Sequence, residues 1–290
     1  MRKQFLFLFI LSCLSSKAQL LSDSFLIDNN YRTFHFKKPS STNSKASLVF
    51  ILHGSGGSGE GIRNGAGKLE AIAGRENIVL VYPDGYKHFW NECRKAATSA
   101  ANIENIDENT FFNRMIEYFI SKYQTDPNRV FAIGTSGGGH MAYKLALTMP
   151  EKFTAITAII ANLPDTVNMD CIEKRKPMPV MIINGTSDQT NPYNGGEVVI
   201  TGTVLGKVRS TEETFKYWAS LDGYTGKPEK ENLPDTDTTD GKTIEKFTYK
   251  KNGKPEVVLL KVINGKHDYP NDIDVYLEAW NFFKRQINFK

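Results

Sequence analysis

Short runs of almost unbroken apolar residues, alternating with stretches of helical spacing, constrain this chain more than anything else in it. The runs fall at residues 47–52, 78–82, 129–133, 155–160 and 180–183, with helical patterns at 62–74, 107–123 and 138–149. A strand with one wet face alternates apolar and polar residues, whereas a strand covered on both faces has no reason to. Runs of this kind predict an α/β fold, a doubly wound, mostly parallel sheet with helices on both faces. A helix at 210–221, strands at 242–249 and 257–263 and a last helix at 273–285 continue the order. Ahead of it, residues 25–27 and 31–36 flank the turn-forming Asp28, Asn29 and Asn30, which predicts an N-terminal β-hairpin. The polar stretch 224–242 reads as a surface excursion within one domain.

The first residues stand outside that pattern. Arg2 and Lys3 precede the apolar run 5–11, and Ser12, Cys13, Ser15, Ser16, Lys17 and Ala18 follow it, the layout of a secretory signal. The run is about half of the roughly 20 apolar residues that a membrane span needs. Ser16 and Ala18 fit a small-x-small cleavage pattern, so 1–18 is expected to be a signal peptide, 19–290 the folded domain, and the protein secreted or periplasmic. The alternative is a lipoprotein signal, with Ile10, Leu11 and Ser12 leading into an anchoring Cys13. Loss of 1–18 removes three basic residues and no acidic one, taking the formal charge from +4 to +1. So even a balance of charge argues against a nucleic-acid partner. Cys93 and Cys171 then remain, as a disulfide or as two buried thiols; neither has a CxxC spacing, and no histidine cluster suggests a metal site.

The run 129–133 leads into Gly134, Thr135, Ser136, Gly137, Gly138 and Gly139. Gly134 and Gly138 bracket Ser136 in a G-x-S-x-G pattern between an expected strand and an expected helix, which is the context that a nucleophile elbow needs. The turn is tight, and a side chain at either glycine would clash with it. A serine needs a base. Of His35, His53, His88, His140 and His267, only the last two follow Ser136, and His140 leaves no room for an intervening acid in the order serine, acid, histidine. His267, in the loop after 257–263, fits. Asp188 lies just beyond the strand 180–183 and is the expected orienting carboxylate, with Asp165 and Asp170 as weaker alternatives and Asp268 too close to the histidine. Three strand ends would then converge at the carboxyl edge of the sheet. The glycine-rich loop His53-Gly54-Ser55-Gly56-Gly57 leaves the strand 47–52. It is expected to supply one oxyanion N–H, from Ser55 or alternatively Gly56, beside the N–H of Gly137, with His53 structural.

These motifs make the chain similar to a known family. It resembles the secreted α/β-hydrolases that include polyhydroxybutyrate depolymerase-like esterases and the feruloyl and acetyl xylan esterases of carbohydrate esterase family one. The resemblance runs over His53-Gly-Ser-Gly-Gly, Val81-Tyr-Pro-Asp-Gly, Trp90-Asn and Asp126-Pro-Asn-Arg-Val. It continues through Asn184-Gly-Thr-Ser-Asp188, Pro192-Tyr193-Asn-Gly-Gly and Gly265-Lys-His267-Asp-Tyr-Pro. It implies an α/β-hydrolase catalytic domain with the triad Ser136, Asp188 and His267, no cofactor, a Cys93–Cys171 disulfide, and a small or polysaccharide-linked ester as substrate. Feruloyl or acetyl esters on plant polysaccharide come first, hydroxyalkanoate oligomers second, and a peptidase or a non-enzymatic binder last. Two departures stand out: Gly137 follows the serine where the family has Asn or Ala, and Tyr269 stands where a tryptophan is usual. Trp90 and Tyr193, with Tyr86 and Phe89, are candidates for a substrate-facing aromatic wall.

Overall fold

The computed structural model describes residues 20–38, 45–200 and 202–287; the expected signal peptide and Cys13 lie outside the described residues. Ten strands form one sheet. Its opening hairpin is β1 (Leu21–Ile27) and β2 (Asn30–Lys37), followed in the chain by β3 (Ala46–Leu52), β4 (Ile78–Pro83), β5 (Thr125–Thr135), β6 (Ala155–Ile159) and β7 (Val180–Gly185). A separate hairpin, β8 (Gly196–Ile200) and β9 (Thr203–Val208), intervenes before β10 (Glu229–Asn232), β11 (Thr243–Tyr249) and β12 (Val257–Ile263) rejoin the sheet. The spatial order is β1-β2-β4-β3-β5-β6-β7-β12-β11-β10. From β4 to β12 the strands run parallel, with antiparallel strands at both edges.

The packing explains why the central runs lack polar alternation. Along β3, Leu48, Phe50 and Leu52 enter one core while Val49 and Ile51 enter the other. The first core is covered by α4 (Glu108–Tyr123), α5 (Gly137–Thr148) and α6 (Thr211–Leu221), through Phe111, Phe112, Met141, Leu145, Phe215 and Trp218. The second is covered by α2 (Gly67–Ala73) and α7 (Val275–Gln286), through Leu69, Trp280 and Phe283. Each such side chain, fully buried, stabilises the fold by about 1.5–3 kcal/mol.

Four details differ from the sequence reading. The helix expected over 62–74 is broken into α1 (Gly59–Arg63), a 3-10 turn (Asn64–Ala66) and α2. The break falls where Gly65 runs against the Tyr276 ring, so closely that a Cβ there would lie 3.3 Å from it. Within the surface excursion 224–242, β10 adds an edge strand by pairing Glu229–Asn232 with β11; all four of its residues are exposed. The β8–β9 hairpin and the short α3 (Ala100–Ile103) were not expected at all. In agreement with that reading, Cys93 and Cys171 form a disulfide, which fastens the segment after β4 to the loop after β6.

Candidate active site

The elbow forms where β5 turns into α5. Ser136 has φ 53° and ψ −117°, a conformation that costs a non-glycine residue of order 1–3 kcal/mol and persists only when its surroundings enforce it. They do so through contacts that exclude side chains. A Cβ on Gly134 would run into the Gly138 carbonyl, and a Cβ on Gly138 into the Leu52 carbonyl. The Ser136 N–H donates to Ile159 O at 2.8 Å and its carbonyl accepts from His140 N–H at 3.0 Å, anchoring the turn to β6 and to the helix.

Asp188 and His267 reach this elbow from two neighbouring strand ends. β7 pairs with β12 in parallel, and beyond them Thr186 N–H donates to Val262 O at 2.9 Å and Ser187 N–H to Gly265 O at 2.8 Å. The Asn184 amide at the end of β7 accepts from Ala161 N–H and donates to Asn162 Oδ1, which fixes that edge against the end of β6. The Asp188 carboxylate is buried. Its Oδ1 accepts from Thr190 N–H and Asn191 N–H, both at 2.9 Å, leaving Oδ2 for His267 Nδ1 at 2.7 Å. With its Nδ1–H given to a carboxylate, the ring has Nε2 as its acceptor, 2.9 Å from Ser136 Oγ. The structure thus brings together the three residues chosen from chain order. It leaves Asp165 capping Asn168 N–H and Asp268 paired with Lys242 at 3.1 Å.

The two loops expected to hold an oxyanion also meet. A Cβ on Gly137 would fall 2.5 Å from Ser55 Oγ and 2.9 Å from Ser55 N, so the backbones of the two residues are close neighbours. This accounts for the departure at 137: the hydroxymethyl group of Ser55 occupies the space that a side chain there would need. Gly137 opens α5, whose first N–H groups have no intrahelical partner. Gly56, the alternative donor, is corrected by the structure, because its N–H donates to His88 O at 2.9 Å. His53 is structural as expected: Nε2 accepts from Gly85 N–H at 2.9 Å, Nδ1 lies 2.7 Å from Gly54 O, and burial holds the imidazole below its usual pKa. Burial does the same more strongly to His140, whose Nδ1 has no partner among the described residues.

The aromatic candidates divide. Trp90, 2% exposed, lines a cavity of about 200 Å³ that Ser55 and Gly137 also line, while its Nε1–H donates to His53 O at 2.9 Å. Tyr193 is corrected: it is 5% exposed and lies outside that cavity, because its ring packs beneath the Lys261 ammonium and its hydroxyl donates to Glu212 at 2.9 Å. Three residues escaped the sequence reading. Glu92 and Arg94, a buried ion pair at 2.8 Å, line the same cavity. Burial pushes the Glu92 carboxyl up while Arg94 draws it down, and the net direction is up. Thr135, beside the elbow, has its hydroxyl 2.7 Å from that of Tyr269, which also meets Tyr276 at 3.0 Å. The tyrosine at the position of the usual tryptophan was the only signal of that link. Among the described residues, no group of three His, Cys, Asp or Glu side chains is placed to hold a metal ion, and no helix is long and apolar enough to cross a membrane.

Residues 107–163, the segment from α4 to just past β6, match the prolyl oligopeptidase family. NocK of Nocardia uniformis subsp. tsuyamanensis, which is named as an esterase, is 26% identical over 80% of this chain and 68% of its own length. Feruloyl esterase B of Piromyces equi is 26% identical over 83% of this chain, but the chain spans only 42% of that protein. Among solved structures, the acetyl xylan esterase from Aspergillus awamori superposes with a TM-score of 0.62 at 18% identity, covering 90% of this chain and 99% of that one. S-formylglutathione hydrolase of Staphylococcus aureus gives 0.54 at 12% identity over 93% of this chain and 95% of that one. The fold they share is that of the α/β-hydrolases.

Proposed function

We propose that this chain, an α/β-hydrolase of the esterase family, works as a serine esterase with Ser136 as nucleophile, His267 as general base and Asp188 as the carboxylate that orients the imidazole. One observation carries the reading: hydrogen bonds of 2.7 and 2.9 Å run from Asp188 Oδ2 through both ring nitrogens of His267 to Ser136 Oγ. Ser136 Oγ attacks the ester carbonyl as its proton passes to His267 Nε2, and Asp188 stabilises the imidazolium without taking the proton. The carbonyl oxygen becomes an oxyanion, held by the N–H groups of Ser55 and Gly137, each worth about 10²- to 10³-fold in rate. Collapse returns the proton from Nε2 to the leaving alcohol, and water then repeats the cycle on the acyl-enzyme.

The match to the prolyl oligopeptidase family covers only the strand, elbow and helix around Ser136 and does not favour amide over ester cleavage. The names of the relatives favour feruloyl or acetyl esters on plant polysaccharide as substrates. The Cys93–Cys171 disulfide supports an oxidising compartment, in keeping with export by a signal at 1–18. The test follows hydrolysis of p-nitrophenyl acetate by wild type, Ser136→Ala and His267→Ala, then acid release from feruloylated arabinoxylan, acetylated xylan and hydroxybutyrate oligomers. Wild-type rates in both variants sink the mechanism; release from the oligomers alone sinks the substrate class.

A further inference from the structure

The cavity beside Ser55 and Gly137 takes its walls from segments far apart in the chain. Ala97, Thr98 and Ser99 line it from the stretch after β4, and Ile200, Thr203 and Leu205 line it from the β8–β9 hairpin. That hairpin belongs to no larger sheet, so its own pairing does not fix where it stands. Its backbone is tied to the body at the foot of β9, where Lys207 O accepts from Asp165 N–H at 3.1 Å and Arg209 N–H donates to Leu163 O at 2.8 Å. One side chain reaches further. The buried Asn168 donates from Nδ2 to Lys207 O at 3.0 Å and to Leu205 O at 3.2 Å, while its Oδ1 accepts from Ala96 N–H at 2.9 Å. Both amide donors and the acceptor are thereby used, and the reversed amide would set its oxygen against two carbonyls, so only this orientation fits. Gly206, between the two bonded carbonyls in sequence, has φ +76°, and a Cβ there would lie 2.4 Å from Asn168 Oδ1. Asn168 itself does not line the cavity.

We propose that Asn168 is the positioning residue that sets the gap between these two walls, and through it the size of ester group that the site admits. The proposal rests on the serine-esterase reading, because the size it governs is that of a group bound beside Ser136. Leu205 offers its carbonyl to Asn168 and its side chain to the cavity, and Ala96 is one residue from Ala97. A shift of either bonded backbone group therefore moves a lining side chain. Withdrawing the hairpin would strip a buried amide of the acceptors for both its N–H groups, a loss that holds the wall in place. The wall at 97–99 has further ties, through the Cys93–Cys171 disulfide and through Lys95 N–H, which donates to the main-chain carbonyl of Asn168 at 2.7 Å. Neither tie uses the side chain at 168, so loss of the amide frees the hairpin in particular.

The test compares p-nitrophenyl acetate with p-nitrophenyl octanoate, and ethyl acetate with octyl acetate, so that the ester grows on its acyl side in one pair and on its alcohol side in the other. Asn168→Asp keeps the acceptor for Ala96 N–H but turns an oxygen towards both carbonyls. Gly206→Ala drives a methyl group into the same amide from the hairpin side. In each variant the kcat/KM ratio of large to small ester is expected to rise by about fivefold or more in at least one pair. A loss of folded protein lowers every rate in proportion and leaves these ratios alone. Should Asn168→Asp fail to fold, Gly206→Ala decides. Ratios that stay within about twofold of wild type in both pairs, or that fall, overturn the proposal. Wild-type hydrolysis of p-nitrophenyl acetate separates the two failures: inactivity there sinks the esterase reading itself, while activity with unchanged ratios sinks only the role of Asn168.

Discussion

Gly185 and Gly265 lie backbone against backbone where β7 and β12 end, so close that a Cβ on Gly185 would enter the Gly265 carbonyl. The contact sets the separation of the loops that carry Asp188 and His267, which meet at 2.7 Å. Gly185→Ala is expected to push the two apart. A displacement of about 1 Å in such a constellation costs on the order of 10²-fold, so kcat/KM for p-nitrophenyl acetate should fall by that amount in a variant that still unfolds cooperatively. Activity within twofold of wild type would mean that the glycine contact does not position the pair.

The oxyanion assignment separates backbone from side chain. Ser55→Ala keeps the N–H and should change kcat by less than about threefold, whereas Gly137→Ala brings a methyl group to 2.9 Å from Ser55 N and should lower kcat by about 10- to 10³-fold. Steady-state kinetics on one ester suffice. The reverse order would place the oxyanion elsewhere.

Tyr269 ties the His267 loop to the residue before the nucleophile, with its hydroxyl 2.7 Å from that of Thr135. Tyr269→Phe removes only the oxygen. That oxygen also meets the Tyr276 hydroxyl at 3.0 Å; loss of the two bonds costs about 1 kcal/mol of stability each, and here kcat should also fall by about three- to tenfold with KM little changed, since the tyrosine acts by positioning the base. A loss of stability alone would reduce Tyr269 to a structural strut.

Burial holds both His53 and His140 below the ordinary imidazole pKa of about 6.5, so the folded chain resists protonating them. In the unfolded chain both protonate near that value. Above it neither state takes the proton; below it the unfolded state binds more, and stability must fall as the pH falls. Denaturation midpoints should therefore drop between about pH 6.5 and pH 5 relative to a variant carrying His53→Gln and His140→Gln, a comparison that cancels the opposite contribution of Asp222, whose carboxyl burial pushes up to about 8. Midpoints that rise over that interval relative to the same variant would contradict the burial of neutral imidazoles.

How much of this was legible in the sequence follows from where the constraints lie. Ser136, Asp188 and His267 could be chosen because strand ends and chain order restrict which residues reach one edge of the sheet, and because the elbow needs glycines at fixed offsets. The central strands showed themselves by burial on both faces. The β8–β9 hairpin did not: its residues are half exposed, so neither unbroken apolarity nor clean alternation marks them, and Ile200 and Leu205 gave no hint of lining a cavity. Charged, exposed β10 was equally silent. Tyr193 misled because an aromatic near a strand end reads alike whether it faces a substrate or packs beneath Lys261. Arg94 was invisible because the burial of its ion pair with Glu92 exists only in the packed structure.

The central claim is that Ser136 is a nucleophile activated by His267. Labelling with a fluorophosphonate and mapping the adduct by mass spectrometry tests it directly. One phosphonyl group on the peptide containing Ser136, lost in Ser136→Ala and slowed by at least about 10²-fold in His267→Ala, is the predicted result. An unreactive wild type, or an adduct that persists in Ser136→Ala, would contradict it.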